Sequence, residues 1–225
     1  MSLNSLHAPE VRAVLDRLHA EAAQQKAQFI KVVLAMGKDK LLRRKPSVEE
    51  QARRFKDLFI PLTPDTGTFA YLVARSINAR RIVEFGTSFG ISTIYLAAAV
   101  RDNGGGLVIG SEIEPGKIAR ARTNIAEAGL SKFVEIRAGD AQATLRDPGG
   151  AVDLVLLDGW KDLYLPIIQM LAPHLRPSAV ILADNIKTFP KELAPYIAWM
   201  KDQRTGFDSV TLPLGAGTEY SVRLI

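Results

Sequence analysis

The chain contains no cysteine, and this absence excludes both disulfide bonds and metal sites built from thiolates. No apolar run approaches the length of a membrane span, and the N-terminal residues lack the charged-then-apolar layout of a secretory signal. Histidine is scarce, and His7, His19 and His174 lack the spacing of metal ligands, so we assign them no role. We therefore expect a cytoplasmic protein without a membrane span.

The formal charge of +5 is carried entirely by the first 60 residues. Residues 1–60 contain 12 Lys and Arg against 7 Asp and Glu, whereas residues 61–225 contain 17 of each sign. A basic arm can attract nucleic acid or an anionic substrate. Here the basic residues alternate with acidic ones, which is typical of a solvated helix face. Nucleic acid is therefore not the expected partner, although the composition leaves it open.

A chain of 225 residues suits one α/β domain with an appendage. Apolar residues spaced along 8–36 predict one or two amphipathic helices, and a capping box at 47–50 predicts a further helix to about Phe59. Pro61 and Pro64 then break the pattern. We place an N-terminal helical appendage at residues 1–60 and the main domain at residues 61–225.

From Gly67 onward, strand-like and helix-like patterns alternate, which predicts a parallel sheet with crossover helices. Strands are expected at 81–85, 107–112, 133–137, 152–158 and 179–184. Helices are expected near 67–77, 90–100, 116–128, 161–175 and 190–204. Two further β-rich runs, 207–214 and 218–224, flank a glycine turn typical of a hairpin. The predicted fold class is α/β, Rossmann-like and doubly wound, with a mostly parallel seven-stranded sheet and an antiparallel C-terminal hairpin strand.

Two of the predicted strands stop on a carboxylate. One ends at Asp158 and the next at Asp184, which Asn185 follows. Neighbouring parallel strands that end in this way bring these side chains together at the carboxyl edge, where open α/β folds bind ligands. Three oxygen donors there suit Mg²⁺, although an Asp-Asn pair after a strand is by itself more often only a turn. Lys161, in the first turn of the next predicted helix, opposes the helix dipole and so lacks a stability rationale.

A glycine loop follows the first strand, with Gly86 and Gly90 spaced G-x-x-x-G. The loop lacks the glycine triplet that brings a pyrophosphate onto a helix, so a nicotinamide oxidoreductase is disfavoured. Glu112 ends the second strand, where an acid can bind a ribose diol, although it could instead cap the following helix. After the third strand come Asp140, Ala141 and Gln142, placed to meet an adenine edge.

The order of these groups resembles the class I S-adenosylmethionine-dependent methyltransferases. Glu84 and Gly86 follow the first strand, and Glu112, Asp140 and Asp158 follow the next three. The stretches 157–166 (LDGWKDLYLP) and 182–185 (LADN) resemble those of the metal-dependent O-methyltransferases of the catechol and caffeoyl-CoA type. The resemblance runs from about Leu62 to the C-terminus.

This resemblance implies methyl transfer from S-adenosylmethionine to a hydroxyl of a small phenolic acceptor with adjacent hydroxyls. It implies that Asp158, Asp184 and Asn185 bind a divalent metal, most readily Mg²⁺, and that Lys161 acts as general base beside a catalytic Asp158. The positions it assigns to cofactor binding are Leu62, Glu84, Gly86, Ser88, Ser92, Glu112, Asp140, Ala141, Gln142, Asp158 and Trp160, with Trp160 also forming a wall of the aromatic pocket. Together with the apolar stripes of the N-terminal helices, it also implies a homodimer.

Two features depart from the family pattern. A late carboxylate that would grip the second hydroxyl of a catechol is absent near Val210, with Asp208 as a weak substitute, and the loop 186–190 differs from the usual one. Two other functions therefore stay open. One is methylation of a modified RNA base, and the other is a non-catalytic module that binds a nucleoside or a protein partner.

Overall fold

The computed structural model describes residues 4–25 and 61–225. Within these residues one sheet contains seven strands in the order β3-β2-β1-β4-β5-β7-β6. The strands are β1 (Arg81–Phe85), β2 (Leu107–Glu112), β3 (Val134–Ala138), β4 (Val152–Leu157), β5 (Leu175–Ala183), β6 (Phe207–Leu212) and β7 (Thr218–Arg223). The first five are parallel, whereas β7 runs antiparallel to both β5 and β6. The predicted Rossmann-like fold class and its antiparallel hairpin strand are confirmed.

Helices connect the strands and cover both faces of the sheet. They are α1 (Pro9–Gln24), α2 (Pro64–Ser76), α3 (Ile91–Asp102), α4 (Pro115–Glu127), α5 (Ala141–Thr144), α6 (Tyr164–Leu171) and α7 (Ala194–Lys201). Local sequence explains their starts, because prolines occupy the first turns of α1, α2 and α4, where their missing N–H is not needed. None of the helices in the described part is long and apolar enough to cross a membrane.

Four elements differ clearly from the sequence prediction, and one is the helix predicted near 190–204, which is an α-helix only over Ala194–Lys201. Strand β5 begins at Leu175 rather than residue 179, because Leu175 pairs with Val152 ahead of a shift in register. The helix predicted at 161–175 is an α-helix only over Tyr164–Leu171, with a 3₁₀ turn on each side. The short helix α5 was not predicted at all, since four residues are too few to show a helical period.

The sheet separates two hydrophobic clusters. The larger cluster lies under α2, α3 and α4, and the second lies under α6 and α7. Successive side chains of β4 lie on opposite faces of the sheet. Leu154 and Leu156 lie in the first cluster, and Val155 and Leu157 lie in the second. This alternation explains why the central strands read as continuous apolar runs.

Helix α1 packs on the main domain. Its apolar residues Val11, Val14, Leu15 and Leu18 are buried in the larger cluster, and the helix contacts α3 and α4. The apolar stripe of this helix is therefore used within the chain, so it no longer argues for the homodimer, which stays a prediction. The apolar positions predicted beyond residue 25 and the capping box at 47–50 lie outside the described residues.

We predict that α1 unfolds together with the main domain. Leu18 is fully buried, so Leu18→Ala should lower the free energy of unfolding by about 2–5 kcal/mol through lost contacts and a cavity. Leu72→Ala is the matched control, because that side chain is 56% exposed and its truncation should cost less than about 0.5 kcal/mol. Denaturant unfolding measures both. A main transition that Leu18→Ala leaves in place would mean that α1 is an independent appendage.

Candidate active site

The register of the central strands aligns three loop starts at one edge of the sheet. Phe85 pairs with Leu157, and Leu157 pairs with Ala183. The residues that follow these three are Gly86, Asp158 and Asp184. Two further hydrogen bonds continue the ladder, from Asp158 N to Phe85 O (2.9 Å) and from Asp184 N to Leu157 O (3.0 Å). The structure thus brings together the strand ends that the sequence placed side by side.

The glycine loop folds over the end of β2. Gly86 and Gly90 have φ values of 100° and 86°, a conformation that favours glycine. A Cβ on Gly86 would lie 2.8 Å from backbone atoms of Asp158 and Gly159, so the loop can approach β4 only without a side chain. The Ser88 amide donates to Glu112 Oε2 at 2.9 Å, which ties the loop to the acid at the end of β2.

A small cavity opens between this loop and the start of α2. It is lined by Pro61, Leu62, Gly86, Thr87, Ser88, Phe89, Ile91, Ser92 and Asp158. Five of the positions assigned to the cofactor from sequence therefore surround one space. Asp158 is among these lining residues, so the cavity and the cluster of possible metal ligands have one residue in common.

Glu84 lies beneath the loop rather than in the cavity. It is completely buried, and its Oε2 accepts hydrogen bonds from Thr87 Oγ1 at 3.0 Å and Thr93 Oγ1 at 2.5 Å. Burial raises the pKa of this carboxyl, and hydrogen bonds from Ser92, Thr93 and Thr87 lower it in part. The sequence did not single out Thr87 and Thr93, whose role becomes visible only once the loop closes over the carboxylate.

The ends of β2 and β3 continue the same edge. Both oxygens of Glu112 accept backbone N–H groups, from Ser88 and from Ile113 and Glu114. The alternative role of Glu112 as a helix cap is wrong, because Glu114 caps α4 by accepting from Lys117 N.

The residues after β3 are held by a helix cap. Asp140 caps α5 through Gln142 N, so Asp140 and the neighbouring Ala141 and Gln142 are held at the tip of β3.

Asp158, Asp184 and Asn185 form a cluster at the ends of β4 and β5. Asn185 Nδ2 donates to Asp158 Oδ1 at 2.8 Å and to Asp184 Oδ2 at 3.1 Å, so both carboxylates reach one nitrogen atom. Asn185 has a φ of 71°, and its carbonyl accepts from the backbone N–H groups of Thr188 and Phe189. It therefore also forms a turn, which is the simpler interpretation of an Asp-Asn pair after a strand. The described residues contain no group of three or more His, Cys, Asp or Glu able to hold a metal ion.

The chemistry of this cluster fits a hard divalent cation. Burial and mutual repulsion with Asp184 raise the pKa of Asp158 to about 7, and burial also raises the pKa of Asp184. Two carboxylates that repel each other gain from a cation placed between them. Rotation of the Asn185 amide would present its oxygen at the point where Nδ2 now meets both carboxylates. Two carboxylate oxygens and one amide oxygen are hard ligands of the kind that Mg²⁺ and Ca²⁺ prefer.

Lys161 lies beside this cluster and is mostly buried. Its Nζ is 3.4 Å from Asp158 Oδ1 and 2.9 Å from the hydroxyl of Tyr164. Burial lowers the pKa of Lys161, while Asp158 and Asp184 oppose that shift. The ring of Phe189 lies 5.8 Å from Nζ, and Trp160 and Phe189 are both partly buried against the second cluster. These rings give the space around Lys161 an aromatic wall.

A further sequence-based suggestion, Asp208, is also wrong, and two more residues of the site were missed. Asp208 pairs with Val222, which pairs with Val180, so it lies four positions from Asp184 along the sheet and outside the site. Thr218 donates to Asp184 Oδ1 at 3.4 Å, and Tyr164 contacts Lys161, but neither was singled out from sequence. Tyr164 follows Lys161 by three residues, which is the helical spacing that could have revealed the pair.

Comparison with known proteins finds similarity to methyltransferases. A methyltransferase domain profile matches residues 83–186. A catechol O-methyltransferase from Niastella koreensis is 36% identical over 131 residues, which cover 56% of this chain and 58% of that protein. A catechol O-methyltransferase from Mycobacterium tuberculosis is 38% identical over 128 residues, which cover 56% of this chain and 57% of that protein. Over these segments the chain is therefore similar to a methyltransferase domain and to two catechol O-methyltransferases.

Two solved structures share the fold of this chain. Cofactor-bound Rv0187 from MTB is 27% identical with a TM-score of 0.69, covering 85% of this chain and 95% of that chain. An O-methyltransferase from Bacillus cereus in complex with SAH has the same fold, with 23% identity, a TM-score of 0.69, and coverage of 85% and 97%. The matched segments span less than two thirds of the two curated catechol O-methyltransferases.

Gly86→Ala should damage the loop more than a glycine replacement elsewhere. The positive φ alone should cost about 1–3 kcal/mol, and contact with the backbone of Asp158 and Gly159 adds to that cost. Gly105→Ala is the matched control, since its φ is 110° and nothing lies within 4 Å of its Cβ position. Denaturant unfolding and titration with S-adenosylmethionine measure the two effects. Equal losses of stability, with unchanged cofactor affinity in both variants, would contradict the close approach.

The raised pKa of Asp158 predicts a pH-dependent stability when divalent ions are chelated. The carboxyl moves from 3.8 to about 7 on folding, so the folded state holds more protons than the unfolded state between these values. The free energy of unfolding should therefore fall as the pH rises from about 4 to about 7. Buried Glu84 adds a dependence of the same sign.

Asp158→Asn should make this decline shallower, because an amide does not ionise. The control is Asp162→Asn, which changes an exposed carboxylate of the same turn and should leave the profile as it is. Thermal unfolding in chelator from pH 4 to pH 8 gives the comparison. A profile that is the same in wild type and Asp158→Asn would refute the assignment.

Proposed function

We propose that this protein transfers a methyl group from S-adenosylmethionine to a hydroxyl of a small phenolic acceptor with adjacent hydroxyls. The observation that carries the proposal is the position of Lys161 Nζ, 3.4 Å from Asp158, beside the cluster of Asp158, Asp184 and Asn185 and next to the glycine loop. The identity to two catechol O-methyltransferases supports the same reaction class.

The glycine loop and its neighbours would bind the methyl donor. Leu62, Gly86, Ser88 and Ser92 line the cavity beside the loop and would hold its methionine end, and Asp158 lines the same cavity. Glu112 Oε1 accepts two backbone N–H groups and Oε2 accepts one, so Oε2 retains a lone pair for a ribose hydroxyl. The tip of β3, with Asp140, Ala141 and Gln142, would meet the adenine. Holding donor and acceptor in line can contribute on the order of 7–11 kcal/mol.

Asp158, Asp184 and Asn185 would hold the divalent ion. Such an ion, when bound there, would supply Lewis-acid chemistry that lowers the pKa of the acceptor hydroxyl. Lys161 takes the hydroxyl proton at Nζ, which burial prepares by lowering the pKa of the amine. Trp160 and Phe189 exclude water and stack on the acceptor ring. The proton leaves the acceptor before or during transfer, so the methyl group reaches an oxygen with a free electron pair.

A turnover assay with S-adenosylmethionine tests the reaction. The acceptor panel contains catechols, flavonoids with adjacent hydroxyls, and hydroxylated RNA, each with Mg²⁺ and with chelator. We expect catechol-type acceptors to be methylated and chelator to abolish turnover. Methylation of RNA alone, with affinity that falls steeply as salt increases, would favour the RNA-modifying alternative instead.

Lys161→Ala should lower kcat on the order of 10²–10⁴-fold, the usual contribution of a general base. Lys132→Ala, an exposed lysine on the turn before β3, is the control and should keep wild-type kcat. Binding of S-adenosylmethionine, measured by titration calorimetry, should be similar in all three proteins. Full turnover by Lys161→Ala would exclude Lys161 as the base and would point to a different proton acceptor.

A further inference from the structure

Tyr164 is a buried polar residue that the proposed reaction does not yet use. It begins α6 and its side chain is fully buried. Its ring packs edge-on against Phe85 at 6.3 Å and against Tyr196 at 5.8 Å between centroids. Two aromatic contacts at steep angles fix the plane of the ring, so the hydroxyl occupies one defined position beside Lys161.

The direction of the hydrogen bonds at this hydroxyl is determined. The Tyr164 hydroxyl donates to the backbone carbonyl of Asp184 at 3.2 Å, and a carbonyl can only accept. The oxygen of Tyr164 therefore faces Lys161 with a lone pair and accepts from Nζ at 2.9 Å. Burial and the nearby carboxylates raise the pKa of Tyr164 well above its usual value, which keeps the hydroxyl protonated.

Two acceptors then fix the orientation of the Lys161 amine. One N–H points at Tyr164 and a second points at Asp158 Oδ1, 3.4 Å away. An amine nitrogen has four tetrahedral directions, and Cε takes a third. A neutral amine carries its lone pair in the fourth direction. Fixing the two N–H bonds therefore also fixes the direction of that lone pair.

We infer that Tyr164 is a positioning residue, whose hydroxyl aims Lys161 Nζ at the acceptor hydroxyl. This inference rests on the proposed function, because it assigns a role within the same reaction. Lysine has four rotatable bonds and loses much freedom when held in one place. Without the Tyr164 hydroxyl, the amine would keep its longer hydrogen bond to Asp158 and its less directional contacts with aromatic rings, and the base would be misplaced for much of the time.

The test compares Tyr164→Phe with a matched tyrosine. Phenylalanine keeps the ring and its contacts with Phe85 and Tyr196 but removes the hydroxyl. Tyr196→Phe is the control, because Tyr196 is as deeply buried in the same aromatic cluster and its hydroxyl lies near Ser221 and Glu219 rather than Lys161. Both full-length variants are assayed with S-adenosylmethionine, Mg²⁺ and a catechol, and both are checked by thermal unfolding.

We expect Tyr164→Phe to lower kcat on the order of 10²-fold, the loss that a misplaced catalytic group can cause. The KM values for S-adenosylmethionine and catechol should change by less than about twofold, since the hydroxyl does not contact either ligand's binding groups. Tyr196→Phe should keep wild-type kcat. A crystal structure of Tyr164→Phe should show Lys161 Nζ displaced from its place beside Asp158, which reports on positioning without any assay.

Several results would overturn the inference. Unchanged kcat in Tyr164→Phe, with active wild type, would show that the hydroxyl has no positioning role while the proposed function stands. A loss that is restored by high Mg²⁺, together with weaker Mn²⁺ binding in a direct titration, would show that Tyr164 acts on Asp184 instead. Equal losses in both variants would mean a general effect on the aromatic cluster. A wild-type chain that methylates nothing would remove the proposed function, and this role with it.

Discussion

The pairing register of β1, β4 and β5 is the constraint on which the site depends. Phe85, Leu157 and Ala183 lie on one rung of the sheet, so the next residue of each strand emerges at the same level. A shift of one residue in any of these strands would turn its side chains to the opposite face. The apolar alternation that fills the two hydrophobic clusters fixes the register, and the register brings the cavity of the glycine loop against the two aspartates.

The core therefore supports a site in which burial disfavours the charged forms of the side chains. Asp158, Asp184 and Glu84 lie where burial disfavours their ionised forms, and Lys161 lies where burial disfavours its charged form. These costs offset one another only partly, because one lysine faces two carboxylates. Arrangements of this kind are found where a protein binds a cation or moves a proton, and structural ion pairs seldom concentrate so many shifted groups. The stability supplied by the strands is what allows the arrangement to persist.

The sequence predicted strands correctly where the hydrophobic pattern was long, and site residues correctly where the edge of the sheet determines their position. Strands β1 and β2 were predicted with their observed bounds, and the alignment of Asp158 with Asp184 followed from both ending apolar strands. The sequence prediction failed where a few residues determine the local structure against the hydrophobic pattern. The extended start of β5 depends on a register shift beside Val152, and α5 is one turn long and held by the Asp140 cap. Contacts made through loop closure, such as Thr87 with Glu84, have no signature in residue spacing.

Lys161 is an unfavourable residue for the start of a helix, and tertiary structure compensates for it. In sequence the lysine stands at the start of a helix, where its charge opposes the dipole. In the fold the segment Lys161–Leu163 is a 3₁₀ turn rather than α-helix, which leaves Nζ close to Asp158 and over the ring of Tyr164. The same turn delivers Tyr164 to the first position of α6, one helical turn later. The positions of Lys161 and Tyr164 beside the two aspartates therefore arise from a single feature, the change from 3₁₀ to α-helix at this point in the chain.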